Sequence, residues 1–228
     1  MKKTILLSTV LICAFVLNFN HLFAGKPFEG VITFKISYPD NKFTESQMAM
    51  FPKVVTVSIK GTKSRMDMQM SGMNTVEISD YEAKTKVALL NLMGQKYAIK
   101  QTSDDIAKEM AKEPASTVEI TSETKMIAGY SCKKAVITVN DDGVKSTYEA
   151  FFTNEFGGGK MSNFDNPLYK DIDGVLLEFS MKTRELNMKF TATSVEKKSL
   201  PAKDFEIPSE YTLTTQEELK SKFGGGDE

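Results

Sequence analysis

Three methionines in one short stretch, Met66, Met68 and Met70, are the residues of this chain whose type and spacing come closest to a site. On an extended strand they share one face, because side chains alternate with a period of two. Two chemistries suit such a stripe. Thioethers ligate copper(I). They are also flexible apolar fillers, used in irregular cores and in grooves that accept varied apolar ligands. No histidine or cysteine lies near the stripe in sequence, so the apolar reading is preferred. Met66, Met68 and Met70 are the candidate ligand-binding residues, with copper(I) binding kept as an alternative.

The rest of the inventory excludes more than it offers. The chain has one histidine, His21, no tryptophan and two cysteines, Cys13 and Cys132. His21 falls in a segment that reads as a secretory signal peptide. Lys2 and Lys3 give it a positive start, Ile5 to Phe19 form an apolar run, and Ala24 offers a small residue before Gly25. Residues 1–24 are therefore expected to be removed, leaving a periplasmic or secreted chain without imidazole. Ser-His-Asp and Cys-His catalysis and most zinc sites go with it. Cys132 follows Ser131 and precedes Lys133 on an expected strand, so it points inward while Lys133 points out; without a histidine base it is not assigned as a nucleophile. Asp141-Asp142-Gly143 and Asp171-Ile172-Asp173-Gly174 lack the ligand spacing of a calcium loop and read as turns. No catalytic residue, metal or cofactor is assigned, and the expectation is a protein that is not an enzyme. The 29 basic and 30 acidic residues are interspersed, which argues against nucleic acid as a partner.

The elements that carry these residues are strands. Gly30, Ile32, Phe34, Ile36 and Tyr38 alternate, and Val54–Lys60 with Lys63–Met70 read as a hairpin around Gly61-Thr62. Asn74–Ser79, Lys86–Met93, Lys96–Gln101, Thr117–Thr124, Cys132–Val139, Val144–Thr153, Val175–Lys182 and Asn187–Lys197 continue the pattern. Phe205, Ile207 and Tyr211 alternate around Pro208. Thr44-Glu45-Ser46-Gln47 and Ser103-Asp104-Asp105 open two short helices, near 44–51 and 104–112, and Thr214-Thr215-Gln216-Glu217 caps a terminal helical turn. Residues 157–167 form a long loop. No linker or repeat divides the chain. The fold class is mainly β: an antiparallel, strongly curved sheet or unclosed β-barrel with a few short helices, because a sheet this wide must curl. Residues 25–223 form the single domain and 224–228 a flexible tail.

Lys60-Gly61-Thr62-Lys63-Ser64-Arg65-Met66, Ile127-Ala128-Gly129-Tyr130-Ser131-Cys132-Lys133-Lys134-Ala135 and Phe205-Glu206-Ile207-Pro208-Ser209-Glu210-Tyr211 together resemble an exported bacterial family of unknown function. That family is held similar to the LolA/LolB lipoprotein carriers. The resemblance runs from about Phe28 to Tyr211. It implies an unclosed barrel with helices as a lid, an apolar inner face and no catalytic residues. It also implies a possible counterpart, in Arg65, of the inner arginine that latches a carrier's lid. Alternation argues otherwise: with the methionines inside, Arg65 faces out, paired with an acid such as Glu77. The expected function is binding or carriage of a lipid, acyl chain or other apolar ligand in a concave β surface. The alternative is a cell-envelope interaction or structural module that takes no ligand and has a protein partner.

Overall fold

A computed structural model describes residues 28–70, 73–92, 94–156, 162–182 and 186–223, the side chains of 70, 73, 220 and 223 excepted. The expected signal segment, His21 and the tail after 223 lie outside these residues, as does the side chain of Met70. The strands are β1 (Glu29–Ser37), β2 (Val54–Lys60), β3 (Lys63–Met70), β4 (Met73–Asp80), β5 (Thr85–Leu92) and β6 (Gln95–Gln101). They continue as β7 (Ser116–Ile127), β8 (Tyr130–Asp141), β9 (Val144–Thr153), β10 (Val175–Lys182), β11 (Asn187–Lys197) and β12 (Thr212–Thr214). The helices are α1 (Glu45–Met48), α2 (Ser103–Met110) and α3 (Gln216–Phe223).

All twelve strands make one open sheet in the order β12-β6-β5-β4-β3-β2-β1-β11-β10-β9-β8-β7. Neighbours are antiparallel except β12, which runs parallel to β6. Sequence-local hairpins build two meanders, and β1 joins them by pairing with β11, Ile32 opposite Val195. The turns follow their residue types. Ala128-Gly129 and Asp142-Gly143 both take positive φ, at 49° and 87° and at 47° and 86°, as tight two-residue hairpins demand.

The helix caps follow the sequence with one shift. Thr44 caps α1 in a reciprocal box with Gln47, as expected. The cap of α2 is Thr102 rather than Ser103: its hydroxyl accepts from the Asp105 N–H while the Asp105 carboxylate accepts from the Thr102 N–H. Residues 205–211 do not form the alternating strand that the sequence suggested. Ala202–Phe205 is a single 3-10 turn, Ile207 is exposed, and strand structure resumes only at Thr212.

Three apolar clusters hold the sheet. The first draws on β1, β2, β7, β8, β9, β10 and β11, and is centred on Ile32, Phe34, Val55, Cys132, Leu177 and Phe190. Strands far apart in the sheet order meet in it, so the sheet curls around it; β7 also approaches β11. The second cluster joins β8, β9 and β10 to Tyr169 and Ile172, both fully buried, and Phe179 packs against both clusters. The third consists of Val76, Ile78, Val87, Leu89 and Ala98 under Phe205, Leu200 and Tyr211.

Candidate functional site

The face that carries Met66 is traced by register. Val57 stands opposite Met66, Met66 opposite Glu77, Glu77 opposite Ala88, and Ala88 opposite Ile99. Opposed residues in a ladder share a face, so these five form one row straight across β2 to β6. All five are half-buried. Met68 and Leu90, two residues along their strands, continue the same face and are also half-buried. Met66 and Met68 pack against the first cluster, which makes this the inner face. Met66 and Met68 thus face inward and pack on core residues while remaining partly open.

Two helices border this strip at β6. The Gln101 side chain, on the same face as Lys86 by pairing, donates to Glu109 of α2 at 3.0 Å. Lys222 of α3 stands 5.6 Å over the ring of Tyr97, the partner of Leu90. Ile106 buries the apolar side of α2.

On β4 and β5 the strip turns polar. Lys86 reaches Glu77 at 3.3 Å and Asp165 at 2.7 Å, all three side chains about a quarter exposed or less. Burial lifts the Glu77 carboxyl above its usual value, with Asp165 adding to it and Lys86 opposing. Burial pulls Lys86 down, but the two carboxylates outweigh it and the ammonium is held above its usual range. Next to them Tyr81 is buried and pushed up to about 12, mainly by desolvation, with a hydrogen bond to Ser64. Phe164 meets the Tyr81 ring edge-on at 6.3 Å. Phe164 and Asp165 thus reach across to Tyr81 and Lys86, while Tyr169 and Ile172 of the same loop are buried against β8 and β9.

Sequence reasoning missed this cluster and assigned Glu77 to Arg65. The pairing is different because Glu77 opposes Met66 and faces inward, whereas Arg65 opposes Ile78. Arg65 instead grips Asp67 with two bonds of 2.8 Å and donates to the Asp204 carbonyl at 3.1 Å. Asp67 on one side and Asp204 and Tyr211 on the other hold its guanidinium firmly charged. The signal was available: Met70 pairs with Met73, and that short connection alone fixes Met66 against Glu77. Arg65 does face away from the methionines, as alternation required, but it is half-buried beneath residues 202–205 rather than standing at a free rim.

The other candidates resolve as structure. Cys132 is fully buried and Lys133 exposed; burial, aided by Glu155 and Glu178, pushes the thiol up to about 11, so it is no nucleophile at neutral pH. Asp142-Gly143 is the β8–β9 turn. Asp171-Ile172-Asp173-Gly174 anchors a loop: Asn163 donates to the carbonyls of Ile172 and Gly174 at 3.0 and 2.9 Å. No group of three or more His, Cys, Asp or Glu side chains fit to hold a metal occurs among the described residues.

A family model for a domain of unknown function, DUF4412, matches residues 28–211. The chain belongs to the DUF4412 family. The match takes in both meanders and the segment over Phe205, and stops just before β12 and α3. No curated protein matches the sequence. Among solved structures the chain is similar to a beta-barrel-like protein of a domain of unknown function, DUF1849, from Brucella abortus. That similarity has a TM-score of 0.36 and 7% identity, over 76% of this chain and 99% of that one.

Proposed function

We propose that this protein is a non-enzymatic, exported binder of an apolar ligand, a lipid or acyl chain, held along the inner strip of Val57, Met66, Met68, Ala88, Leu90 and Ile99. The observation that carries the reading is the half-buried state of this strip. The opposite face of β4 to β6 is sealed by Phe205, Leu200 and Tyr211, while the inner strip keeps apolar side chains partly open beside α2 and α3. Exposed apolar surface costs roughly 25 cal/mol per Å² relative to burial, so these partly open apolar side chains, on either side of Thr75 and Glu77 of β4, are surface that a ligand would gain by covering. Methionine suits such a surface because it adapts to varied apolar shapes. The Lys86–Glu77–Asp165 cluster, whose Glu77 stands in the row between Met66 and Ala88, would meet the polar head of the ligand. The earlier resemblance to lipoprotein carriers points the same way, toward helices beside an apolar inner face.

Titration of the purified chain with cis-parinaric acid tests this. Its fluorescence is expected to rise and saturate, and Met66→Asp with Met68→Asp to abolish the rise while the fold persists by circular dichroism. Native mass spectrometry of the chain prepared from the periplasm should show an added lipid mass. A ligand-free mass together with no fluorescence response would favour the envelope module. Tight copper(I) uptake lost in the same double variant would favour the metal reading.

A further inference from the structure

β9 and β10 begin as antiparallel neighbours, with Val175 opposite Thr153, Leu176 opposite Phe152 and, past a bulge, Glu178 opposite Phe151. There the ladder stops. β9 nonetheless continues back to Val144 on β8, and β10 continues to Lys182 on β11. Had pairing gone on in register, Ser180 would oppose Glu149 and Lys182 would oppose Thr147. Those residues instead line a cleft of about 490 Å³, together with Ser146 and, from β11, Asn187. The cleft is an unzipped stretch of sheet.

One wall is already served. The Tyr169 hydroxyl donates to the Ser180 carbonyl at 2.6 Å and accepts from the Ser180 N–H at 3.2 Å. A phenol thus makes the pair of bonds that a facing strand residue would make. The other wall has no such stand-in. Among the described residues no strand pairs with the second edge of β9 between Val144 and Ala150, and alternate residues there direct N–H and C=O groups into the cleft.

We infer that this cleft takes an extended polypeptide segment of a partner protein, added as a strand against the free edge of β9. Backbone groups at a strand edge are matched by another strand. Beside the rings of Tyr148, Phe151 and Phe179 the cleft is lined by polar and charged side chains, and none of its residues belongs to the inner strip, so this site is separate from that strip and stands without it. The charges indicate what the segment carries. Glu178 is already neutralised by Lys125 and Lys189, at 2.9 and 3.1 Å, whereas Lys182 makes no ion pair among the described residues. The segment therefore places a carboxylate toward Lys182.

The probe is a synthetic peptide copying Val175–Lys182, the strand that the ladder would have added had it continued, which carries its own glutamate. Amide hydrogen exchange of the full chain is followed with the peptide in excess. Residues 144–150 are expected to exchange several-fold more slowly, and Lys182→Glu to weaken that protection. Two further peptides are N-methylated on one edge or on the other, a change that leaves the protein untouched. Methylation of the edge that pairs should abolish protection, and of the other edge should not. Absent protection, protection that survives both methylations, or protection confined to the outer edges β7 or β12 would overturn the assignment.

Discussion

β2 and β5 lie three places apart in one sheet and bury opposite faces. In β2 the buried residues are Val55 and Ile59, turned toward the cluster that the sheet curls around. In β5 they are Val87 and Leu89, turned toward Phe205 on the other side; register carries the face of Val57 through Met66 and Glu77 to Ala88, not to its neighbours. β3 sits between the two regimes and is covered on both sides, by the first cluster over Met66 and by residues 202–205 over Arg65. Burial of apolar area needs a cover, not one continuous face. Where residues 200–211 supply a cover on the outside, the inner face of β4 to β6 is released from core duty, and it is there that Ala88, Leu90 and Ile99 of the half-open strip and the Lys86 cluster lie.

The outer cover should be the more costly to remove. Phe205→Ala takes a buried ring out of the third cluster and is expected to lower stability by about 3–5 kcal/mol, read from urea unfolding. If the two faces are independent, cis-parinaric acid binding by the folded fraction should survive it; loss of binding without loss of folded signal would mean that the two faces work as one. Tyr169→Phe deletes the hydroxyl that satisfies both backbone groups of Ser180 and should cost about 1–3 kcal/mol, with exchange at Ser180 rising most. Thr102→Ala removes the cap of α2 beside the inner strip and should cost about 1 kcal/mol, while the probe gains access faster in stopped flow.

The smallest effect carries a sign. Glu77 has its carboxyl raised above the ordinary 4.5 by burial. A raised folded-state value gives a contribution that is complete below about 4.5 and is lost as pH rises through the higher folded value. Glu77→Gln should therefore leave stability at pH 7 unchanged or slightly higher, and flatten its rise toward acid. Glu178 behaves oppositely: burial would raise it, but Lys125 and Lys189 outweigh burial and hold it low, so its contribution is present above its ordinary value and fades as pH falls. Stability curves of the two Gln variants that coincide between pH 4 and 7 would refute this contrast.

Much of the fold was legible because alternation is a local property. Val76 and Ile78 share a face, Cys132 points inward against Lys133, and the methionines oppose Arg65, all from a period of two. Which face would be covered was not legible, since that depends on Leu200, Phe205 and Tyr211 returning across strands more than a hundred residues earlier. Phe205 to Tyr211 itself alternates like a strand but serves as cover, an instance of tertiary packing overriding pattern. The Lys86 cluster escaped notice because Asp165 arrives from a loop with no periodicity to place it.

The pairing of β1 with β11 has a consequence for time rather than shape. Thr193 bonds to Thr33 across a separation of 160 residues, and the outer cover of β4 to β6 ends at Tyr211. The first cluster needs β11 and the third needs residues 200–211, so neither forms until nearly the whole chain is present, whereas the second lies within residues 118–179. Contacts this distant make folding slow, so the first meander waits uncovered until residues 200–211 have been made.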